Sequence, residues 1–331
     1  MGTYIIAEAG VNHNGDINIA KRLCYEAKRA GADVVKFQTW KTEKIITKHV
    51  VQAKYQTQNT GYEESQFDML KRLELSYEEF RELKIYCDEI GIQFASTADE
   101  KDSLEFLLSI GIPFIKVGSG EMGNIPYLRE IGSKGLPIIL STGMSSLADV
   151  DISLQALRDG GAQSITLLHC TTSYPCPHNE VNLKAMKTLA VAFNIPVGYS
   201  DHTEGLEVAV AAVANGAVVI EKHFTLDKNM PGPDHQASTE PNEFAKMVAS
   251  IRNVEAALGN GSKIGTHKEK EISNVVLKKI LASRFIPSGK TIEPDDLCTK
   301  RNNEGISAKY WDLIIGSKAN KDYFEDQPIV L

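Results

Sequence analysis

The chain has 331 residues, 42% of them hydrophobic, with a formal net charge of -7. That length suits one large core plus an appendage, and the acidic balance argues against nucleic acid, whose recognition needs a broad excess of Lys and Arg on one surface. Five cysteines without a C-x-x-C pair read as free thiols; with no leader-like start and no apolar run of membrane-spanning length, the expectation is a cytoplasmic protein with no membrane partner.

From the N-terminus to about Leu258, short apolar runs alternate with amphipathic stretches, the pattern of βα units. The strand cores are Tyr4–Ala7, Val34–Gln38, Gln93–Ser96, Phe114–Val117, Ile138–Ser141, Ile165–His169, Val197–Tyr199 and Val218–Lys222. Helices are expected at Ile17–Ala30, Tyr77–Ile90, Leu147–Leu157, Leu206–Ala214 and Glu243–Leu258. Eight such units over roughly 250 residues predict an α/β protein of the (β/α)8 TIM-barrel class. The open, doubly wound alternative lacks its phosphate fingerprints, since no G-x-G-x-x-G follows the first strand and no Walker loop is present.

The connection from about Trp40 to Glu74 is too long for an ordinary βα loop and reads as a functional flap over the barrel mouth. Residues 259–271, beginning Gly259-Asn260-Gly261-Ser262-Lys263, have linker composition. The remaining residues, 272–331, read as a small β-rich domain with little core of its own, one that leans on a neighbour. The expected division is therefore a barrel over 1–258, a linker over 259–271 and a tail domain over 272–331.

Each strand is apolar until its C-terminal end and then delivers polar side chains, which marks the catalytic rim of a barrel. In chain order these are Glu8; Lys36 and Gln38; Ser96 and Thr97; Lys116, Ser119 and Glu121; Ser141 and Thr142; His169, Thr171, Thr172 and Tyr174; Ser200, Asp201 and His202; Glu221 and His223. A lone Lys or His at such a place is more often salt-bridged or hydrogen-bonded than a ligand. Two lysines, several hydroxyls and the glycine-flanked Gly118-Ser119-Gly120 and Thr142-Gly143 converging on one mouth predict a pocket for a phosphate plus a carboxylate. His202 and His223, with Glu8, Glu121 and Asp234 nearby, suit an exchangeable divalent cation; from spacing alone, two structural histidines is an equal reading. Asn12 and His13 are further candidate pocket residues, while Cys170 and Cys176 read as packing.

These same segments resemble the sialic acid synthase family from Tyr4 to the end of the chain. The resemblance is carried by Ala7-Glu8-Ala9-Gly10-Val11-Asn12-His13-Asn14-Gly15, Val35-Lys36-Phe37-Gln38-Thr39, Phe114-Ile115-Lys116-Val117-Gly118-Ser119-Gly120-Glu121 and Leu140-Ser141-Thr142-Gly143-Met144. It continues through His169-Cys170-Thr171, Gly198-Tyr199-Ser200-Asp201-His202-Thr203, Glu221-Lys222-His223-Phe224-Thr225 and Pro231-Gly232-Pro233-Asp234-His235. Lys300-Arg301 and Gly305-Ile306-Ser307 close the series in the tail.

The resemblance implies a barrel followed by an antifreeze-like (SAF) domain, and a domain-swapped homodimer in which each tail covers the other barrel. It implies that Lys36, Thr97, Lys116, Ser119, Ser141, Tyr174 and Ser200 hold phosphoenolpyruvate. His202 and His223 would bind the metal, Mn²⁺ foremost, with Mg²⁺ or Co²⁺ as alternatives. Gln38 and Asp234, together with Glu8 and Glu121, would face an N-acylated aldose, whose acyl group Arg301 would reach from the other subunit. Two departures stand out: Thr172 where sialate-forming members have Asn, counted here as a phosphoenolpyruvate contact of shorter reach, and Arg301-Asn302-Asn303 where Arg-Pro-Gly is usual.

The implied reaction is attack of C3 of phosphoenolpyruvate on the sugar aldehyde, followed by addition of water at C2 and loss of phosphate. Glu121, with Glu8 second, is expected to handle the proton of that water. The loop segments Ala53-Lys54-Tyr55-Gln56, Asn59-Thr60-Gly61 and Glu64-Ser65-Gln66, with Thr172, look most like the sialate/legionaminate branch. Both N-acetylmannosamine and 2,4-diacetamido-2,4,6-trideoxymannose therefore stand as substrates. The rival readings are a Schiff-base barrel aldolase using Lys36 or Lys116, and a non-catalytic sugar-binding protein.

Overall fold

A computed structural model describes residues 2–52 and 64–330; the expected specificity segments Ala53–Gln56 and Asn59–Gly61 lie outside these. The chain divides into two compact units, Met1–Gly259 and Asn260–Leu331.

In the first unit, parallel strands β1 (Tyr4–Gly10), β2 (Val34–Thr39), β3 (Gln93–Ala98), β4 (Ile115–Val117), β5 (Ile138–Ser141), β6 (Ile165–His169), β7 (Val197–Asp201) and β8 (Val219–His223) close into a barrel in sequence order. Closure pairs β8 with β1, so no strand edge is left open. The helices are α1 (Ile17–Arg29), α2 (Thr42–Ile45), α3 (Gln66–Leu73), α4 (Tyr77–Ile90), α5 (Lys101–Ile110), α6 (Ile125–Gly132), α7 (Leu147–Gly160), α8 (Lys184–Phe193), α9 (Glu207–Ala214) and α10 (Pro241–Leu258). Their starts follow local chemistry. The Asp16 carboxylate accepts from the Asn18 N–H at 2.7 Å to open α1, and reciprocal Ser/acid capping boxes, Ser76 with Glu79 and Ser146 with Asp149, open α4 and α7.

Strand alternation separates two apolar regions. Ile5, Ala7, Val35, Phe37, Phe94, Ile115, Leu140, Leu167 and Ile220 face the helices in the large core, whereas Ile6, Val34, Ala95, Phe114, Ile139, Leu168 and Val219 form a separate cluster within the barrel. One inward position of this plug must be glycine. A Cβ on Gly198 would lie 2.4 Å from the Val219 carbonyl oxygen and 2.7 Å from Leu168 Cδ2, because the neighbouring side chains already fill the axis.

The long connection after β2 is more ordered than its composition suggests. It carries α2, a bridge between Val51 and Ser65, and α3. Trp40, Met69 and Leu73 bury with Val11 in a satellite cluster, and the Glu74 carboxylate accepts from Thr42 and Lys41 at 2.8–3.0 Å.

In the second unit the stretch expected as linker ends in a helix, α11 (His267–Val276), opened by a capping box between Thr266 and Glu269. Strands β9 (Lys278–Ala282) and β10 (Leu297–Arg301) pair antiparallel. The tail has a core of its own, in which Ile280, Ile286, Ile292, Leu297, Ile314, Tyr323 and Ile329 are buried together. These residues arrive singly between turns, so no period announces them in the sequence.

The buried Asp296 organises this unit. Its carboxylate accepts from Lys290 Nζ at 2.6 and 2.8 Å, Arg284 Nε at 2.7 Å and the Glu293 N–H at 3.0 Å. Burial opposes its ionisation, but these donors outweigh it and hold the pKa at about 2. A carboxyl depressed in the folded state stabilises fully above its unfolded value, near 4, and loses that contribution as pH falls toward 2. The expected outcome for Asp296→Asn is a loss of about 2 kcal/mol near neutrality that shrinks on acidification, measured as the denaturation midpoint of the tail against pH; a pH-independent loss would refute this account.

Candidate active site

Continuing inward and upward from the apolar plug, the alternation places Glu8, Lys36, Thr97, Lys116, Ser141, Ser200 and Glu221 around the barrel axis, at the C-terminal ends of their strands. The register juxtaposes them directly: Glu8 pairs with Lys36, Thr97 with Lys116, and Ser200 with Glu221. All are buried.

Lys36 Nζ lies 2.5 Å from Glu8 Oε2, 3.6 Å from Glu221 Oε2 and 3.0 Å from Thr97 Oγ1. Lys116 Nζ lies 3.5 Å from Glu221 Oε1 and donates to Ser141 Oγ at 2.7 Å. Ser200 Oγ donates to Glu221 Oε1 at 3.0 Å, and Gln38 Nε2 to Glu8 Oε1 at 3.0 Å. Two cations and two carboxylates thus share one buried layer, where an unpaired charge is costly.

Their protonation follows from position. Burial opposes the charge on Glu221, but Lys116 and Lys36 flank it and hold its pKa at about 2. Burial raises Glu8 to about 7 against the pull of Lys36, with the charge of Glu221 adding to the rise. Burial works against the charge on Lys36, but Glu221 and Glu8 carry its pKa upward; in Lys116 burial prevails and the pKa falls.

Above this layer is a cavity of about 210 Å³. Most of the expected site residues line it: Glu8, Lys36, Gln38, Thr97, Lys116, Ser119, Ser141, Thr172, Tyr174, Ser200, His202 and His223. The backbone N–H of Gly143 donates to Ser119 Oγ at 2.9 Å. A Cβ on Gly143 would stand 2.3 Å from Thr172 Oγ1 and 2.8 Å from Ser119 Oγ, so glycine lets the loops after β4, β5 and β6 meet.

Glu221, expected among the polar residues at the end of β8, completes the charged layer. Three other lining residues had no site role in the sequence reading. Cys170, expected as packing, lies 3.3 Å from Ser119 Oγ, and Met144 also lines the cavity. Asp99, just past β3, also faces the cavity, and burial followed by the charge of Glu121 raises its pKa to about 7. An acidic residue following a strand was the available signal for Asp99; in Asp99-Glu100-Lys101-Asp102 it is hidden among charges that open α5.

Three expected residues lie elsewhere. Glu121 belongs to a short turn of helix, Ser119–Glu121, where it accepts from Asn124 Nδ2 at 2.6 Å and does not line this cavity. Asp234 lines an adjoining cavity of about 220 Å³ together with Gln38, Tyr174 and His223, and burial raises its pKa to about 6. Arg301 is an exposed residue of β10 in the second unit. Asn12 and His13 are tethers rather than lining residues: Asn12 Nδ2 donates to Phe224 O at 2.9 Å and Ser238 Oγ at 2.8 Å, and His13 Nδ1 accepts from the Gly15 N–H at 3.0 Å.

The paired imidazoles can be tested as cation ligands. Their ring centroids are 5.5 Å apart, and Tyr174 lies 4.3 Å from His202 and 5.5 Å from His223. His202 Nδ1 is 2.7 Å from the Thr171 carbonyl oxygen, so it carries the proton and leaves a lone pair on Nε2. Among the described residues His223 Nδ1 is buried without a hydrogen-bond partner, and burial lowers the pKa of both rings, that of His223 to about 3. Two neutral imidazoles, one fixed in tautomer, fit a divalent ion that keeps other positions for substrate and water; no group of three or more His, Cys, Asp or Glu side chains forms a closed metal cage among the described residues. On the outer face of the same strands, Lys222 Nζ lies 2.7 Å from Asp201 Oδ2 and donates to Thr203 O at 2.8 Å, which fixes the strand ends carrying both rings.

The chain matches the model of the NeuB family over residues 23–263 and that of the SAF domain over 280–331. It is 47% identical over 329 residues to the N,N'-diacetyllegionaminic acid synthase of Campylobacter jejuni, covering 99% of this chain and 98% of that protein. To the enzyme of the same name from Legionella pneumophila it is 46% identical, covering 96% and 90%. Among solved structures, the N-acetylneuraminic acid synthetase of Leptospira borgpetersenii superposes with a TM-score of 0.73 at 33% identity, covering 83% of this chain and 93% of that one.

The charged layer makes a stability prediction. Glu221→Gln leaves Lys36 and Lys116 with Glu8 as their one acidic neighbour in the layer and is expected to cost about 3–5 kcal/mol, whereas Glu221→Gln combined with Lys116→Met is expected to recover most of that loss. Denaturant midpoints of the single and double variants check this; additive losses would mean the two side chains do not act as a pair.

Proposed function

Since the chain belongs to the NeuB family and ends in a SAF domain, we propose that it joins phosphoenolpyruvate to an N-acylated aldose and water, giving a nonulosonic acid of the legionaminate or sialate type plus phosphate. The observation that carries this reading is the convergence of Lys36, Lys116 and the hydroxyls of Thr97, Ser119, Ser141 and Ser200 on one cavity in an otherwise acidic chain. An enolpyruvyl phosphate brings a phosphate and a carboxylate, and this set supplies the cations and donors to neutralise both.

Holding the enol face against the aldehyde converts a bimolecular encounter into an oriented one, which is a large share of what such a site contributes. Gln38 and Asp234 orient the sugar, Thr172 and Tyr174 close over the enolpyruvyl group, and Arg301 of the partner subunit reaches the acyl group in a domain-swapped homodimer. The support for that assembly is the exposure of Arg301 and the apolar Ile272, Val275 and Leu277, each more than half exposed at 59%, 61% and 56%. His202 and His223 would hold Mn²⁺, or Mg²⁺ or Co²⁺ in its place, and the ion when bound supplies Lewis-acid stabilisation of charge on the aldehyde oxygen. Glu8, whose carboxyl is poised near 7 beside Lys36, is assigned to moving the proton of the water that adds at C2; Glu121, the first expectation for that step, lies outside the lining of this cavity. The reading places the protein in the cytoplasm, supported by five free cysteines and by the lack of any helix long and apolar enough to cross a membrane among the described residues.

Phosphate release is expected only when phosphoenolpyruvate, aldose and a divalent ion are all present, with chelation abolishing turnover and His202→Ala/His223→Ala losing both bound metal and activity. Retained activity in that double variant would overturn the metal assignment. Borohydride with pyruvate separates the Schiff-base alternative: the expected mass is that of the unmodified chain, because each lysine is engaged by a carboxylate, and a reduced adduct on Lys36 or Lys116 would revive the aldolase.

A further inference from the structure

Of the residues lining the charged cavity, Asp99 has no part in the chemistry assigned so far. Its direction follows from the strand that delivers it. Along β3, Ala95 belongs to the apolar plug and Thr97 to the charged layer, so the next residue of the same face, Asp99, stands one tier higher. The Asp99 N–H donates to Thr39 O at 3.2 Å, which carries the pairing with β2 one residue past the strand. Glu100 then turns away: its carboxylate accepts from the Asp102 and Ser103 N–H groups at 2.6 and 3.0 Å and caps α5. The Tyr127 hydroxyl donates to Ala98 O at 2.8 Å and to Glu100 O at 3.2 Å, holding the backbone on both sides of Asp99.

The carboxyl so positioned is partly buried and keeps access to the cavity. Among the described residues, no hydrogen bond or ion pair reaches it, whereas Glu8 and Glu221 are both engaged by lysines. The charged groups around it are Glu121 in the turn after β4, Lys36 of β2, Glu8 of β1 and its own neighbour Glu100, with the Tyr127 hydroxyl of α6 as the other titratable group. Lys36, the cation of that set, is already matched by Glu8 at 2.5 Å. An arriving phosphate and carboxylate would therefore share a cavity of about 210 Å³ with an unpaired carboxyl. Like charges confined to one small site drive one of them to take a proton. Burial, followed by the charge of Glu121, already raises the pKa of Asp99 to about 7 against the pull of Lys36, so the proton is to hand near neutrality.

We propose that Asp99 is a further binding residue for phosphoenolpyruvate and that it works as an acid, its carboxyl taking up a proton as the anion enters and donating it in a hydrogen bond to that anion. This deepens the function proposed above and rests on it. One proton moves from solvent to a carboxylate oxygen of Asp99, and no bond of the ligand changes. Lys36 and Lys116 then meet the ligand's charge without an opposing carboxylate across the cavity. Well above pH 7 the proton is drawn from a more dilute supply and affinity falls; well below it Asp99 is protonated beforehand and the link disappears.

Calorimetric titration of the full chain with phosphoenolpyruvate, without aldose so that no turnover intervenes, reads this link when repeated in buffers of different ionisation enthalpy. At about pH 8 the unmodified protein is expected to take up about half a proton or more per ligand beyond what Asp99→Asn takes up. Between about pH 6.5 and about pH 8.5 its affinity should fall at least about fivefold more than that of the variant. The ligand's own ionisation and that of Glu8 are common to both proteins, so the difference isolates Asp99. Asn keeps a donor N–H without a charge to titrate, so at about pH 6.5 the affinity of Asp99→Asn should stay within about threefold of the unmodified value, whereas Asp99→Ala should bind about fivefold more weakly. Equal proton uptake and parallel pH dependence in the unmodified protein and Asp99→Asn overturn the inference. So does an absence of net uptake by the unmodified protein at about pH 8, a result that needs no variant. Failure of phosphoenolpyruvate to bind at any pH sinks the proposed condensation and this inference together, whereas binding without the extra proton sinks the role of Asp99 alone.

Discussion

Two lysines and two glutamates occupy one buried layer inside the barrel, and the remainder of the site is arranged around keeping them in register. None of the four is tolerable there alone, since an isolated buried charge costs several kcal/mol. Together they form a contiguous network, with Lys36 between Glu8 and Glu221 and Lys116 against Glu221 and Ser141. The pairing also sets what the layer does when an anion arrives. A phosphate or carboxylate approaching Lys36 competes with Glu8, and a carboxyl with a pKa of about 7 can give up its charge by taking a proton at modest cost. The site therefore accepts negative charge without stranding a cation or a carboxylate.

Much of this was legible because a strand reports its two faces in alternate residues. Ile6 then Glu8, Val34 then Lys36, Ala95 then Thr97 and Val219 then Glu221 each read as apolar then polar on the same face, and eight repetitions of the βα pattern specified the barrel. What sequence could not supply was the direction of side chains beyond the strand ends. Glu121 follows β4 closely enough to look like a cavity residue, yet the chain turns immediately after Gly118 and its carboxylate pairs with Asn124. Asp99 sits one residue past β3, where the same reasoning would have included it, but it is the first of four consecutive charged residues, two of which belong to α5.

The connection after β2 and the tail show a related limit. Lys, Gln and Thr dominate the former's composition, yet three well-spaced residues, Trp40, Met69 and Leu73, are enough to pin helix α3 beside the mouth. The tail core is assembled mainly from isolated isoleucines, with one leucine and one tyrosine, spread over some fifty positions. Burial there is decided by tertiary pairing across turns, which no local period encodes. Asn12 and Asn14 were visible as polar residues in a loop; that they tie the first loop to the last required the closed sheet to bring β1 beside β8.

The apolar plug has a kinetic implication. Because Ile6, Val34, Phe114, Ile139, Leu168 and Val219 pack beneath the charged layer, the described residues leave Lys36 and Lys116 to be approached from the C-terminal ends of the strands. If the proposed reactants stack there, one against the lysines and the other beside Gln38 and Tyr174, the deeper one is expected to bind first. Such a queue would come from layering along the axis rather than from any moving part.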